Sequence, residues 1–186
     1  RAPKPVSVNA AAVAKELADF KPAPAPTKEK VEVTFHPSYS VGDGRYAMNP
    51  WLQELPDPIT KLVWDNAALI SPATAAAFGL KTGDMVELRY YAGGTEFRNL
   101  YLPAFILPGQ ADFSVALPFG QYGEMRIAHV PQGGGTDVFP FRSTYEMHTL
   151  TRVELRNTGT RFDLVTTQEH GVIPEERDIV REVGHG

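Results

Sequence analysis

Histidine is the side chain best suited to acid–base chemistry and metal binding near neutral pH. Five occur in this sequence, namely His36, His129, His148, His170 and His185. No two of them have the i, i+4 spacing that places metal ligands on one face of a helix. Only His170 has an acidic neighbour, Glu169, and adjacent residues seldom face one another on a strand or helix. Structural or solvent-exposed roles are therefore expected for all five.

The sequence contains no cysteine. Disulfides, thiolate zinc sites, cysteine nucleophiles and cysteine ligation of iron–sulfur clusters are thus excluded for this chain. It also lacks a G-x-S-x-G motif, a P-loop and a dinucleotide-binding fingerprint. The carboxylates of Glu54 and Asp57 lie among prolines, where turn and capping roles explain them. No catalytic residue is assigned, and whether the chain is part of an enzyme stays open.

The glycine-rich segment 118–135 is the best candidate for ligand contact. Its backbone amides are uncovered at glycines such as Gly120 and Gly123, so they can approach an anion or a flat ring closely. Arg126 within the segment and Arg142 just after it carry guanidinium groups suited to a phosphate. The alternative, which the sequence favours, is a loop that contacts another subunit.

The composition indicates that short strands position these residues. Glycine and proline contribute 16 residues each to a chain of 186, above their usual combined share of about 12%. The apolar fraction of 42% is sufficient for one buried core. The net charge of −4, with no basic stripe, argues against a nucleic-acid partner. No apolar run approaches the roughly 20 residues of a membrane-spanning helix.

Residues 1–30 are predicted to form an appendage. An alanine-rich amphipathic helix is expected over 6–20 with Asn9 as its N-cap, either solvated or docked at the edge of the domain. A stiff Lys-Pro-Ala-Pro-Ala-Pro linker follows at 21–26. The start at Arg1 indicates a processed chain or a piece of a longer one.

Strand periodicity begins at Val31. Alternation over 31–35 predicts a half-buried strand, and Gly-Asp-Gly predicts a turn within 39–45. Three prolines within 50–58 predict an extended loop over 49–59, pinned by Trp51 and Leu52. A strand is expected at 62–64.

The region 66–101 is the best specified locally. Ser71-Pro72 predicts a helix start and Gly79 a left-handed helix end, with a turn at Gly83-Asp84 that the aspartate stabilises. A hairpin is expected between a strand at 85–91 and a return strand from Phe97 to Leu102, with a bulge near Arg98-Asn99. A separate strand is predicted at 104–107.

Two further features complete the predicted fold. Residues 113–117 alternate as a strand, and a final hairpin is expected between 151–155 and 162–164 across Asn157-Thr158-Gly159-Thr160. Six or seven short strands with many turns favour a closed barrel over 31–166. Residues 167–186 are then a C-terminal tether.

Several stretches resemble one known family. The sequences at 39–45, 51–61, 64–72 and 167–170 are similar to the large iron–sulfur subunit of bacterial alternative complex III, a relative of the molybdopterin oxidoreductases of the dimethyl-sulfoxide-reductase superfamily. The resemblance extends over residues 31–183 and is most specific at 51–59.

The resemblance implies a fold as well as a function. The helix-and-turn unit at 73–91 resembles its counterpart in double-psi β-barrels, such as the fourth domain of formate dehydrogenase and dimethyl-sulfoxide reductase. In active molybdoenzymes this domain closes over the pterin dinucleotide. In the alternative-complex subunit the corresponding region is understood to hold no molybdenum cofactor, and iron–sulfur clusters in a separate ferredoxin-like region carry electrons.

The expected function is therefore structural. By resemblance, the barrel docks onto the rest of its own polypeptide and onto cytochrome c and integral membrane subunits of a quinol-oxidising complex, on the periplasmic side of the inner membrane. Trp51, Leu52 and Trp64 are the expected interface anchors, because aromatic residues concentrate interface energy.

Two alternatives stay open. One is a domain that binds molybdopterin guanine dinucleotide in an active molybdoenzyme, for which Gly120, Gln121, Gly123, Arg126 and Arg142 are the candidate contacts. The other is a free-standing adaptor barrel that binds a peptide or small ligand.

Overall fold

The computed structural model of the chain describes residues 7–18, 20–91, 97–121, 135–144 and 146–167. Within these residues six strands close into a barrel, accompanied by short helices. The strands are β1 (Val31–Pro37), β2 (Ala68–Ile70), β3 (Asp84–Tyr91), β4 (Phe97–Ile106), β5 (Ser114–Phe119) and β6 (Thr149–Arg161). The helices are α1 (Ala10–Ala18), α2 (Pro50–Gln53) and α3 (Pro72–Phe78), with a 3₁₀ turn at Phe139–Phe141. The prediction of a mainly β, closed barrel with short helices is confirmed.

The strand order around the barrel is β1-β5-β2-β4-β3-β6. β1 pairs with β5 and β2 with β4 in parallel, and the other neighbours are antiparallel. Because β5 lies between β1 and β2, the connection at 38–67 must pass over the end of the barrel. The connection at 107–113 likewise crosses β2 to join β4 to β5. Exchanging the first three strands with the last three leaves the order unchanged, so the two halves have equivalent topology.

The barrel interior is filled by the alternate residues that the period-two pattern predicts. Val31 and Val33 of β1, and Val86 and Leu88 of β3, are fully buried. Their neighbours in sequence face outward and are partly exposed. One continuous apolar cluster results, to which all six strands contribute. Burial of this apolar surface is the main force that stabilises the barrel.

Helix α3 begins and ends as its sequence predicts. The Ser71 hydroxyl accepts a hydrogen bond from Thr74 N at 3.0 Å, and Pro72 occupies the first turn, where its missing N–H is no loss. Gly79 ends the helix in the left-handed region at φ 65°. The chain then folds back, so that Leu80 is buried.

Two expectations about residues 49–64 are wrong. Residues 50–53 form helix α2, because Pro50 stands in its first turn, where proline is tolerated, and Asn49 accepts hydrogen bonds from Trp51 N and Leu52 N. Trp51 does not pin the segment, since it is 83% exposed. No strand forms at 62–64; a single bridge joins Leu62 to Thr166.

The expected bulge in β4 is also absent. The β3–β4 register runs without a shift from Tyr91 opposite Phe97 to Met85 opposite Pro103. The same strand continues to Ile106, so 104–107 is not a separate element. The connecting glycines at 93–94 lie outside the described residues.

The expected C-terminal hairpin is replaced by one long strand. β6 runs through the Asn157–Thr160 turn residues and pairs with both β1 and β3. Opposite β3, residues 84 and 86 pair with residues 161 and 157, so the extra residues of β6 form a bulge. Gly159 lies there at φ 78°. Residues that typically form a turn thus form a bulge within β6 and do not end the strand.

Helix α1 stands apart from the core. Asn9 Oδ1 accepts a hydrogen bond from Ala12 N at 3.1 Å, as its predicted capping role requires. None of its residues is buried, and Val13 and Leu17 are exposed. The helix is shorter than the predicted 6–20.

Gly83 lies where two strands approach closely. Its N–H donates to Ala104 O at 2.9 Å, and its carbonyl accepts from Phe162 N at 2.8 Å. A Cβ at this position would lie 2.8 Å from Phe162 O, and its φ is 90°. The next residue, Asp84, accepts a hydrogen bond from Lys81 N at 2.8 Å, which confirms its predicted turn role.

We therefore expect Gly83→Ala to destabilise the barrel more than Gly159→Ala. Both glycines have positive φ, but a Cβ at Gly159 meets nothing within 4 Å. Displacement of backbone around residue 83 should lower the free energy of unfolding by about 2 kcal/mol beyond the loss in the Gly159 variant. Urea unfolding measures both changes. Equal losses would contradict the close approach at Gly83.

Candidate functional site

A cavity of about 500 Å³ lies at the carboxyl ends of β1 and β5, under the 38–67 connection. Its walls combine aliphatic, proline and aromatic side chains with a few polar groups. The apolar lining includes Pro37, Tyr39, Leu55, Ile59, Leu62, Val63, Trp64, Leu69, Leu107, Ala116, Pro118 and Phe119. Ligand sites in proteins typically have this size and character.

Asn66 fastens the connection to the barrel. Its Nδ2 donates to Pro118 O and Thr136 O, both at 3.0 Å, and its Oδ1 accepts from Thr136 N at 2.7 Å. The side chain is buried, so leaving any of these groups unpaired is costly. Asn66 thereby joins β5 to the segment that leads to Phe139.

Two buried glutamines, Gln53 and Gln121, join the 38–67 connection to the residues that follow β5. Gln53 Nε2 donates to Ala47 O at 2.9 Å, and Gln121 Nε2 donates to Gln53 Oε1 at 3.0 Å. Gln121, which lines the cavity, is 5% exposed. Within the described part of the chain its Oε1 has no hydrogen-bond partner. A residue of the cavity wall therefore carries a buried acceptor.

Asp57 stabilises the turn that leads into the cavity wall. Its Oδ1 accepts from Ile59 N, Thr60 N and the Thr60 hydroxyl at 3.0, 2.7 and 2.9 Å. This confirms the predicted turn role. The second carboxylate oxygen of this cavity-lining residue takes no part in these three bonds.

Asp65 is the more deeply placed carboxylate of the cavity. It accepts hydrogen bonds from Val165 N and from the backbone of Gly135. Loss of solvation on burial raises its pKa above the ordinary value of 3.8, and the two backbone bonds offset only part of this effect.

Trp64 is held in an unusual backbone conformation. Its φ is 64°, and the flanking residues form a tight turn in which Asp65 N donates to Val63 O at 2.7 Å. Trp64 N donates to Gln53 O at 3.0 Å. A tryptophan in the left-handed region stores strain, which is characteristic of functional sites. The half-buried indole forms part of the cavity wall.

Gly120 packs closely against the 41–44 turn. A Cβ at Gly120 would lie 2.7 Å from Gly42 O and 3.1 Å from Gly44 N, so glycine is needed there for the approach of the 41–44 turn. Gly123 and Arg126 lie outside the described residues. Of the five pterin candidates, Gln121 alone is among the described residues that line the cavity.

Arg142 is engaged by aromatic rings. Its guanidinium carbon lies 5.0 Å from the ring centre of Phe119, 5.5 Å from that of Phe139 and 5.8 Å from that of Phe35. Its Nε donates to Met147 O at 2.9 Å. Such cation–π packing stabilises the end of the barrel.

The described part of the site does not fit a pterin dinucleotide. A pyrophosphate requires cationic side chains or a set of free amides. The described residues that line the cavity include two aspartates, and no lysine or arginine is among them.

The 38–67 connection carries exposed apolar side chains, of which Tyr39, Leu55 and Ile59 also line the cavity. Tyr39, Tyr46, Met48, Trp51, Leu55 and Ile59 are each between 51% and 83% exposed. We call these six residues the crossover surface. Leu52, the third predicted anchor, is half-buried beside them.

The described histidines, His36 and His148, belong to no metal-binding group. Among the residues that the structure describes, no three histidine, cysteine, aspartate or glutamate side chains could together hold a metal ion. In that same part of the chain, no helix has the length and hydropathy needed to cross a bilayer.

The pattern of local sequence did not single out Gln53, Asp65 or Asn66 as site residues. Gln53 ends helix α2, while Asp65 and Asn66 lie in the loop before β2, and each of the three contacts a segment far away in sequence. A polar residue inside an otherwise apolar stretch, as at Asp65-Asn66, is the only signal that could have found them.

No protein-family model matches the chain, and neither does any curated protein.

Replacing Asp65 by asparagine should stabilise the protein at neutral pH. A raised folded-state pKa means that the native state binds the proton more tightly, so stability falls as pH rises above 3.8 through the folded pKa. Asparagine keeps an acceptor oxygen without the buried charge. The urea midpoint of Asp65→Asn should exceed that of the native chain at pH 7.

The difference should shrink as the pH falls through the folded pKa, because Asp65 then becomes neutral. Asp163→Asn, which removes an exposed carboxylate, provides the control. A gain at Asp65 that persists unchanged at low pH would contradict a buried-charge origin.

Proposed function

We propose that the chain is a double-psi β-barrel that serves as a docking scaffold in a respiratory quinol-oxidising complex. The strand order supports the fold proposal. In each half, two antiparallel strands flank a third strand that belongs to the other half: β1 and β2 flank β5, and β4 and β5 flank β2. Two interlocked crossovers of this kind define double-psi topology.

The crossover surface is the observation that carries the functional proposal. Six large apolar side chains of one segment are each more than half exposed, and burial of such side chains favours association with a partner. Trp51, the most exposed of them, belongs to the residue type most enriched in interface hot spots. Burial against a partner would remove this surface from water.

The segment beneath this surface is well braced. Asn49 caps α2, Gln53 points inward to the glutamine pair, and the Asp43 carboxylate holds Arg45 through both oxygens at 2.8 and 2.7 Å. A rigid surface loses little conformational entropy on association, which favours affinity. This bracing supports a permanent docking role.

The family resemblance supplies the partners in this proposal. They are the remainder of the same polypeptide, which carries the iron–sulfur clusters, together with cytochrome c and membrane subunits on the periplasmic side. The chain itself contributes position and contact, without a cofactor of its own.

The test is Trp51→Ala in the full-length subunit. Loss of a central aromatic from an interface typically costs 2 kcal/mol or more, a factor of about 30 in affinity. The yield of purified complex per cell should therefore fall severalfold. The cluster spectra of subunit that does assemble should be unchanged, because the substitution removes no cluster ligand.

Tyr91→Ala is the matched control, because Tyr91 is also an exposed aromatic but lies on β3. A normal yield for both variants would refute the docking role. Equal loss for both would indicate destabilisation instead. Stoichiometric molybdenum or tungsten in the purified native subunit would favour a pterin-binding domain.

A further inference from the structure

The cavity has an unbalanced charge within the described residues. Asp57 and Asp65 line it, while none of the described lining residues is a lysine or arginine. The four ion pairs among the described residues use other carboxylates, those of Asp43, Asp84, Glu87 and Glu154. Both cavity carboxylates are therefore available to a cationic group.

A second, independent feature points to the same kind of ligand. Gln121, a lining residue, is more than nine-tenths buried, and its Oε1 has no hydrogen-bond partner among the described residues. Its Nε2 is fixed by Gln53, so the amide cannot turn to offer a donor instead. A buried acceptor of this kind is satisfied by an N–H group.

The rest of the lining combines apolar and aromatic side chains with uncharged polar groups such as Ser38, Ser40 and Gln110. Tyr39, Trp64 and Phe119 present rings, and aliphatic residues such as Leu62 and Leu69 complete the wall. Aromatic faces attract cations, and apolar walls favour a hydrocarbon stem.

We propose that this cavity binds an apolar organic cation, an ammonium or guanidinium group on a hydrophobic stem. The cation pairs with Asp65 and donates to Gln121 Oε1, while its stem packs against Trp64 and Phe119. The ligand is either a free small amine or a lysine or arginine side chain of a partner segment; the recognised chemistry is the same.

Burial of Asp65 gives this site a dependence on pH. Its raised pKa reflects a carboxylate that lacks solvation, and a bound cation supplies the missing stabilisation. Cation binding should therefore weaken as the pH falls through the pKa of Asp65. His36 and Asp57 are the other titratable acid–base groups of the lining besides Tyr39.

The experiment uses the 186-residue chain and calorimetric titration with 4-phenylbutylammonium. The matched anion, 4-phenylbutyrate, has the same stem and the opposite charge. We expect at least about tenfold tighter binding of the cation, the range set by one charge-assisted hydrogen bond. This comparison needs no variant, so it stays informative if a substitution affects folding.

Two variants, Asp65→Asn and Asp163→Asn, test whether the cation binds through the cavity carboxylate or through the net charge of the protein. Both remove one negative charge, but Asp163 is not a lining residue. Cation affinity should fall about tenfold in the first variant and stay unchanged in the second. Thermal melting checks that both are folded.

A peptide arm distinguishes the source of the cation. The capped pentapeptide Ala-Leu-Lys-Leu-Ala is compared with its glutamate counterpart. Binding of the lysine peptide alone assigns the cation to a partner segment, and binding of the small amine alone assigns it to a free ligand; both support the site.

Binding of neither cation, equal binding of the anions, or equal loss in both aspartate variants would overturn the proposal. None of these measurements depends on assembly of the complex. A failure of the cation site is therefore distinguishable from a failure of the docking role tested by Trp51→Ala.

Discussion

The position of β5 between β1 and β2 is the constraint on which the rest of the structure depends. β1 and β2 cannot be joined by a tight hairpin, because a strand from the other half of the chain separates them. Thirty residues, 38–67, therefore cross the barrel end, and the cavity is the space that they enclose against β1 and β5. The cavity and the exposed surface above it have the same topological origin.

The crossing segment buries polar as well as apolar side chains. It buries Gln53, Thr60 and Asn66, and exposes Trp51 and the rest of the crossover surface. The buried polar groups make hydrogen bonds that hold the segment in place, and buried apolar side chains such as Val41, Leu62 and Val63 anchor it as well. The apolar side chains of the segment that stay exposed form the crossover surface, which underlies the proposed docking function.

Sequence patterns predicted those features of the fold that local physics determines. Alternation located β1, β3 and β5, and the Ser71-Pro72 and Gly79 signals bounded α3, because caps and periodicity act over a few residues. The turn-forming residues Asn157–Thr160 led to a wrong prediction of a hairpin. Pairing with β3 outweighed their local preference for a turn and produced a bulge. Of the candidate site, Gln121 was found, but Asp65 and Asn66 were not, since their roles depend on contacts with residues 118, 135, 136 and 165.

The central claim is that the crossover surface is covered in the assembled complex. Oxidative footprinting tests it directly, through a matched pair of methionines: Met48 on that surface is 61% exposed, and Met147 elsewhere is 51% exposed. The account predicts that both are oxidised in the isolated chain, and that assembly protects Met48 together with Trp51 while Met147 stays reactive. Oxidation of Met48 at the same rate in the complex and in the isolated chain would contradict it.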